Sequence, residues 1–287
     1  MGQKGFEVLK NFVCEFDANL ISEVITSDDT SLSESYYDEI IQICREQKIQ
    51  CYDKKNSYQV KGDYSFAVSW RWLVKNYNDL IIFHDSLLPR YRGFSPLVNA
   101  LINGEKKVGV TAIFASQSYD EGNIISQKEL KIKYPVKIQT VIESVIPLYW
   151  ELVKSISGKI LEGEKLISQK QDENKATYSP WRDENDYFID WTQSSVFINR
   201  FIDSVGKPYK GACAYINNEL VRIFDAEVFP EKKIEIPSVG KVIFTKYNLP
   251  VVVCGKGFLL IKKMVFDKTG DNALPMKNFR TQFRGSK

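Results

Sequence analysis

The sequence predicts an α/β fold, with a parallel, doubly wound sheet in the first part of the chain and a smaller β-barrel in the second. In the first part, short apolar runs alternate with stretches of helical periodicity, which is the pattern of strand–helix–strand units. After a polar stretch, several short apolar runs separated by Gly and Pro turns are typical of a small barrel. The length of 287 residues exceeds the usual size of one domain. We therefore expect a first domain over residues 1–160, a linker over 161–180 and an OB-like barrel over 181–287.

The individual elements follow from where the apolar periodicity changes along the chain. In the first part of the chain, the periodicity predicts helices over 6–13, 36–47, 96–103 and 137–160. It predicts strands over 20–26, 49–52, 64–69, 80–84 and 108–115. A capping box at Ser31 and Glu34 is expected to open the helix over 36–47. The second part predicts a helix over 194–204 and strands over 212–216, 220–227, 240–244, 250–253 and 258–264.

Composition excludes several classes of protein. No stretch of the sequence reaches the apolar length of a membrane span, and residues 1–10 lack the apolar core of a signal peptide. The five cysteines are scattered without metal-ligand spacing, so we expect reduced core thiols, no metal site and a cytoplasmic location. Because 39 basic residues nearly balance 36 acidic ones, the net charge of +3 does not indicate a nucleic-acid binder.

The only histidine of the chain, His84, ends the apolar run 80–83, where a buried strand would deliver its side chain to the edge of the sheet. Asp120 follows the predicted strand 108–115 in a glycine-bearing turn. A carboxylate beside an imidazole raises its basicity and fixes its orientation, so the two residues together indicate an acid–base site. The alternative is a satisfied structural histidine at a strand end.

The order His84-x-Ser-Leu-Leu-Pro-x-x-Arg-Gly, then Gly-Val-Thr at 109–111, then Asp120-x-Gly-x-Ile resembles the formyltransferases that use 10-formyltetrahydrofolate. Residues 171–178, 188–191, 207–212 and 253–261 are similar to later elements of that family, so the resemblance covers most of the chain beyond about residue 60. It implies a Rossmann-like formyltransferase domain, a C-terminal β-barrel domain and 10-formyltetrahydrofolate as formyl donor.

The resemblance also implies roles for three groups of residues. It implies that His84 and Asp120 are catalytic. It implies that the folate is held by Trp70, Arg71, Leu73, Ser86, Leu87, Leu88, Pro89 and Gly122. It implies that the substrate is held by Arg90, Arg92, Tyr178, Trp181 and Arg182. The alternatives are a tryptophan pair in the core for the cluster at 69–72 and a structural hinge for 178–182.

The chain departs from the family pattern at two places. The family motif is Asn-x-His, and Ile82 stands where the asparagine is expected. Losing an amide that stabilises a developing oxyanion can cost about 2.7–4 kcal/mol in other enzymes. Family members also open with an apolar strand, whereas residues 1–9 look like the turn that follows it. Either this strand is absent or the sequence starts after it, and losing it would expose the edges of the neighbouring strands.

The acceptor of the formyl group divides the family. Enzymes that act on tRNA carry a basic inserted loop early in the first domain, whereas the stretch 26–31 is short and acidic. We therefore expect a nucleotide-linked amino sugar as the substrate and neither nucleic acid nor membrane as a partner, and the resemblance leaves room for a homodimer. Methionyl-tRNA formyltransferase is one alternative. A non-catalytic protein that binds folate or a sugar is the other, and Ile82 motivates it.

Overall fold

A computed structural model describes residues 2–29, 34–56, 58–74, 77–276 and 278–285. The predicted capping residue Ser31, and with it the last two residues of the acidic stretch 26–31, lies outside the described residues. The chain divides into two compact units, which are described separately. The first unit comprises Met1–Leu97, Lys106–Ile132 and Thr140–Pro180, and the second comprises Val98–Glu105, Lys133–Gln139 and Trp181–Lys287. The domain boundaries at 160 and 180 stay predictions.

The helices and strands occur in nearly the order that the sequence predicts. Within the described ranges the helices are α1 (Gln3–Glu15), α2 (Tyr37–Glu46), α3 (Pro96–Asn103), α4 (Ile138–Leu161) and α5 (Ser195–Ser204). The strands are β1 (Glu23–Thr26), β2 (Gln50–Asp53), β3 (Ser65–Val68), β4 (Leu80–His84), β5 (Arg92–Gly93), β6 (Lys107–Phe114), β7 (Ile124–Lys131), β8 (Tyr178–Ser179), β9 (Ala212–Ile216), β10 (Glu219–Phe229), β11 (Val242–Lys246), β12 (Leu249–Val253) and β13 (Phe258–Phe266). Short 3₁₀ turns lie at Ala18–Leu20, Glu173–Lys175 and Asn185–Tyr187.

The first unit has the predicted α/β class, and its strands form separate groups. β1 pairs in parallel with β2, and β3 pairs in parallel with β4 in a sheet of order β3-β4-β6-β7. β6 pairs with β4 and with β7 in antiparallel fashion, which the doubly wound pattern did not predict. A short connection joins β6 to β7, and adjacent strands joined in this way must run in opposite directions because a parallel pair needs a longer crossover.

Helices α1 and α2 bury one face each against the β1–β2 pair. Ile40 and Cys44 of α2 are almost fully buried, and Phe6 and Leu9 of α1 pack against them. These residues recur at helical spacing in the sequence, which is why the periodicity finds both helices. α4 includes Pro147, as predicted, and buries an apolar stripe that is continued by Leu152 and Ile156.

The second unit contains the predicted β-barrel. β11, β12, β13, β10 and β9 form an antiparallel sheet in that order. Residues near the C-terminus join its two edges: Arg284 exchanges backbone hydrogen bonds with Tyr215 on β9, and Phe283 donates to the Gly240 carbonyl beside β11 at 2.7 Å. The sheet therefore closes on itself, and closure removes the free edges.

None of the described helices combines the length and the apolar character that crossing a membrane requires. Among all the residues that the structure describes, no group of three or more His, Cys, Asp or Glu side chains could hold a metal ion. The cysteines are all free thiols.

Candidate active site

The site forms where two paired parallel strands end. His84 is the last residue of β4 and lies opposite Thr111 on β6. Because β3 and β4 are parallel, the segments that follow them, beginning at Ser69 and Asp85, leave the sheet at the same edge. The carboxyl edge of parallel strands is the usual place for a ligand in an α/β fold.

The His84 side chain is buried, with 8% of its surface exposed, and both ring nitrogens face oxygen atoms. Nε2 lies 2.8 Å from the carbonyl oxygen of Tyr91, and Nδ1 lies 3.5 Å from Oδ1 of Asp120. A carbonyl oxygen only accepts, so Nε2 must carry the hydrogen. In the neutral ring Nδ1 then presents its lone pair toward the carboxylate, whereas in the imidazolium it donates to that carboxylate. The sequence-distant pair that the family pattern implies is therefore brought together.

Asp120 is fixed by a backbone contact on its other oxygen. The Gly93 N–H donates to Oδ2 at 2.8 Å, which leaves Oδ1 directed at His84. Asp120 and Tyr91, which hold the two sides of the imidazole, have left-handed backbone angles of φ +57° and +60°. For a bulky residue such as Tyr91 this conformation costs about 1–2 kcal/mol. Such strain is concentrated at functional sites, where neighbouring structure enforces it.

Gln171 joins the Asp120 turn to the rest of the site. Its Nε2 donates to the carbonyl oxygens of Asp120 at 2.7 Å and Gly122 at 2.8 Å, while its Oε1 accepts two hydrogen bonds from Arg92. Gln171 is 4% exposed. It lies inside the linker-like motif at 171–178, which was the only sequence signal for it, and its role depends on a contact 51 residues away along the chain.

Arg92, which the resemblance implies as a substrate contact, is fully buried and saturated with partners. Its guanidinium forms two hydrogen bonds with Glu173, at 2.8 and 2.9 Å, and one with the Tyr178 hydroxyl at 3.1 Å. The hydrogen bond to Glu173 raises the pKa of Arg92, against an opposing effect of burial, and the same bond lowers the pKa of Glu173. With 0% of its surface exposed, this side chain offers no guanidinium surface to a substrate, so its geometry is that of a structural clamp.

The loop after His84 is fastened to β6. Thr111 donates to the Ser86 carbonyl at 2.6 Å and accepts from the Leu88 N–H at 3.1 Å. Gln127 on β7 adds a bond to the Leu88 carbonyl at 2.7 Å. The motif Gly-Val-Thr contains Thr111, so the sequence marked this residue without giving its role.

Within that loop the residues implied in folate binding differ in accessibility. The Ser86 hydroxyl donates to the Arg90 carbonyl at 2.7 Å, and Ser86 and Leu88 are each 3% exposed. Leu87 is half-buried and close to Gly109, where an added Cβ would come within 2.5 Å of its side chain. Pro89 is also half-buried. Leu87 and Pro89 thus offer side-chain surface, whereas Ser86 and Leu88 face inward.

The segment that follows β3 lies at the same edge of the sheet as the loop that follows His84. Trp70 packs edge-on against Trp72, with ring centroids 4.9 Å apart, and Arg71 forms an ion pair with Asp29 at 3.1 Å. Leu73 is 68% exposed. Trp70 and Trp72 are half-buried and lie outside the buried core, while Leu73 leaves a large apolar surface open. The folate-binding roles implied for this cluster stay predictions.

Ile82 lies in an apolar cluster. It packs against Leu88, Ile113 and Ile124, on the strand that ends at His84. Gly122 lies beside this cluster in sequence, and a Cβ there would fall 1.7 Å from the Phe114 carbonyl oxygen, so only glycine fits. The asparagine position of the family pattern is thus occupied by hydrocarbon packed on hydrocarbon.

The remaining residues implied in substrate binding are divided between the two units. In the first unit Arg90 is exposed and lies over the Tyr91 ring, and Tyr178 is 65% exposed, with its hydroxyl 3.2 Å from Glu121. In the second unit Trp181 is 63% exposed, whereas Arg182 donates to Asn99 at 2.7 Å. Burial lowers the pKa of Arg182. All of these roles stay predictions.

Comparison with known proteins extends over both units. Residues 63–146 match the formyl transferase family, and residues 182–284 match the formyl transferase C-terminal domain. The methionyl-tRNA formyltransferase of Caldanaerobacter subterraneus is 33% identical over 178 residues, which are 62% of this chain and 56% of that protein. The methionyl-tRNA formyltransferase of Clostridium beijerinckii is 32% identical over 72% of this chain and 68% of that protein.

A solved N-formyltransferase from Helicobacter canadensis, in a complex with folinic acid and dTDP-3-aminofucose, superposes with a TM-score of 0.69 at 18% identity. That superposition covers 91% of this chain and 96% of the other. At 18% identity this superposition is evidence for the fold alone. The first of the methionyl-tRNA formyltransferases is matched over little more than half of its length. Together with the His84–Asp120 geometry, the two family matches show that the chain belongs to the formyl transferase family.

Proposed function

We propose that this protein transfers a formyl group from 10-formyltetrahydrofolate to the amino group of a nucleotide-linked amino sugar. The observation that carries the proposal is the His84–Asp120 pair at the carboxyl edge of β3 and β4, held by the Tyr91 carbonyl and the Gly93 N–H. Family membership supports the reaction type. The product would be an N-formyl sugar for a surface glycan.

The residues at this edge fit a folate. A pteridine and its benzoyl arm need apolar walls, and Leu73, Leu87 and Pro89 supply accessible hydrocarbon on the two segments that leave the sheet together. The donor brings an activated formyl carbonyl to the site, and the chain supplies positioning and proton transfer.

The acid–base chemistry follows from the atoms that face each other. Formyl transfer forms a C–N bond to the acceptor amine, breaks the C–N bond to the folate and moves one proton from the amine to the departing nitrogen. Oδ1 of Asp120 and a neutral Nδ1 of His84 both accept, so an amine nitrogen beside them can donate to either. Once Nδ1 takes the proton, the imidazolium places positive charge near the oxyanion that develops on the formyl group, and transfer of that proton to the departing folate nitrogen restores the neutral ring.

One feature of the sequence supports a sugar rather than a tRNA acceptor. The stretch 26–31 is short and acidic, which opposes a phosphate backbone. An exposed Arg90 could pair with a diphosphate, and an exposed Tyr178 could stack on a base.

The test is turnover with defined acceptors. Purified protein is incubated with 10-formyltetrahydrofolate and a panel of dTDP-, UDP- and GDP-linked amino sugars, and tetrahydrofolate release is followed together with the mass of the sugar product. We expect one nucleotide class to gain the mass of a formyl group. Release of tetrahydrofolate without any formylated sugar contradicts the acceptor assignment.

Methionyl-tRNA formyltransferase is the second candidate. It is favoured by the sequence relatives, which carry that name at 33% and 32% identity, and it conflicts with the expectation that nucleic acid is not a partner. Adding charged initiator tRNA to the same assay separates the two, because formylmethionine is then the product. Folate binding by calorimetry without turnover on either acceptor would indicate the binding-only alternative that Ile82 motivates.

A further inference from the structure

The residue that follows His84 carries a carboxylate to which the family pattern assigns no role. Asp85 occupies the unspecified position of the motif His-x-Ser-Leu-Leu-Pro. Both of its oxygen atoms are held, because the Tyr149 hydroxyl donates to Oδ1 at 2.8 Å and the Lys4 ammonium pairs with Oδ2. Only 19% of the Asp85 side chain is exposed. A carboxylate this far from water needs such partners.

Tyr149 connects this carboxylate to the strand that ends at His84. It lies on α4, is almost fully buried, and places its hydroxyl 3.3 Å from the Phe83 carbonyl oxygen as well. The rings of Phe83 and Tyr149 are also in contact, with centroids 6.3 Å apart. One phenol on α4 therefore contacts the residue before the histidine and the residue after it, which fixes the direction of the backbone at His84.

Lys4 supplies the opposite charge from a different helix. It lies in the first turn of α1, its side chain is 12% exposed, and its ammonium is 5.6 Å from the centre of the Tyr149 ring. An ion pair buried to this extent adds little net stability over apolar side chains of the same size. Its larger consequence is electrostatic, because the pair lies one residue from an imidazole that must exchange a proton.

Within the described part of the chain, three titratable side chains form an ion pair or a hydrogen bond with His84 or Asp85. Asp120 faces Nδ1 of His84 from the turn between β6 and β7, and Lys4 and Tyr149 face Asp85 from α1 and α4. While Lys4 balances Asp85, the imidazole is left mainly with the charge of Asp120. Without that ammonium, two carboxylates would favour the imidazolium, which cannot accept a proton.

We propose that Lys4 is a positioning residue for proton transfer at His84 and acts through Asp85. Its ammonium neutralises the neighbouring carboxylate, so that the imidazole is neutral when the acceptor amine arrives. Tyr149 supplies the geometry, since it holds the backbone on both sides of the histidine. The inference rests on the proposed formyl transfer and deepens it with residues from outside the motif.

The first test follows the imidazole directly and needs no substrate. Because the chain has one histidine, its ring signals in an NMR titration belong to His84. Lys4→Met leaves the carboxylate uncompensated, so the midpoint of the titration should move up by about one pH unit. Asp85→Asn leaves the ammonium uncompensated and should move the midpoint down by about the same amount.

Two further variants separate charge from packing. The double variant Lys4→Met with Asp85→Asn removes both charges, so its midpoint should return to that of the original protein. Lys10→Met is the matched control, because Lys10 is an exposed residue of the same helix, and it should leave the midpoint unchanged. An unchanged midpoint in Lys4→Met, or shifts of the same sign in both single variants, overturns the proposal. If circular dichroism shows that Lys4→Met is unfolded, the downward shift of Asp85→Asn decides alone.

The second test asks whether the charge balance serves the reaction. In the profile of kcat against pH, the acidic limb should move in each variant in the direction of its NMR midpoint, since the neutral ring is the base. Tyr149→Phe removes a hydroxyl and no charge, and it should lower kcat about tenfold without moving the limb. NMR midpoints that move while the limb stays in place overturn the role in proton transfer. Absence of turnover in the original protein counts against the proposed function, whereas the NMR titration still decides the effect of Lys4 on His84.

Discussion

At the scale of single residues, the geometry of the site depends on groups that hold His84 and Asp120 in place. The histidine and the aspartate are recognisable from sequence because the family pattern fixes their spacing. Gln171 is not, because its function is a set of hydrogen bonds that exist only in the folded chain. Arg92 is found by the motif, but a sequence does not reveal that this arginine is fully buried against Glu173, and its implied role as a substrate contact stays a prediction.

Gln171→Ala should lower kcat while changing KM little. The substitution leaves the carbonyl oxygens of Asp120 and Gly122 without their donor, at a cost of about 1–3 kcal/mol for buried groups, and frees the turn that positions the carboxylate. Steady-state kinetics with the accepted sugar measures both parameters. Gln169→Ala is the matched control, because Gln169 is exposed and pairs with Ile124 through its backbone. An equal effect of both variants would rule out a positioning role.

Ile82→Asn should destabilise the protein and bring at most a small gain in turnover. The amide would enter the cluster of Leu88, Ile113 and Ile124, where an unpaired polar group costs about 1–3 kcal/mol. Thermal unfolding and steady-state rates measure the two effects, with Ile82→Val as the control for lost hydrocarbon. A large gain in turnover at unchanged stability would mean that the chain is an impaired family member.

At the scale of elements, residues 171–179 belong to the structure of the site and do more than connect. β8 pairs in parallel with β5, Thr177 accepts from the Tyr91 N–H at 2.9 Å, and Glu173 clamps Arg92. Sequence periodicity identifies most of the longer elements, although not the eight-residue strand β7, and it cannot identify two-residue strands such as β5 and β8, whose pairing is decided by tertiary contacts. Among the described residues β1 and β3 each have a partner strand on one side only, in line with the exposed edges expected from the sequence.

The Arg92–Glu173 contact should make part of the stability depend on pH. Arg92 lowers the pKa of Glu173, so this carboxylate stabilises the fold above its unfolded pKa of about 4.3 and loses the contribution as pH falls through its lower folded value. Urea unfolding should therefore show Glu173→Gln less stable than the original protein at neutral pH, with the difference shrinking below about pH 4. Glu162→Gln, at an exposed position, is the control. A difference that is constant with pH would assign the loss to packing rather than charge.

At the scale of the whole molecule, the two-part architecture and the family are readable from sequence, whereas the acceptor is not. Alternation of strands and helices predicts the first part, and closely spaced short strands predict the barrel, because both patterns follow from which faces are buried. Acceptor choice depends on surface shape and on a few charged side chains, and neither has a periodicity. The relatives reflect this, since a solved methionyl-tRNA formyltransferase and a solved N-formyltransferase in complex with dTDP-3-aminofucose both share the fold of this chain.

The most direct test of the account is the turnover of His84→Asn and Asp120→Asn in the formyl-transfer assay. Each variant should keep the fold and lose about 10²- to 10⁴-fold in kcat, which is the usual contribution of a positioned acid or base. Asp271→Asn, at an exposed position of the second unit, should retain the original rate. Near-original rates for His84→Asn and Asp120→Asn, measured as tetrahydrofolate release with the accepted amine, would contradict the assignment of this pair as the catalytic centre.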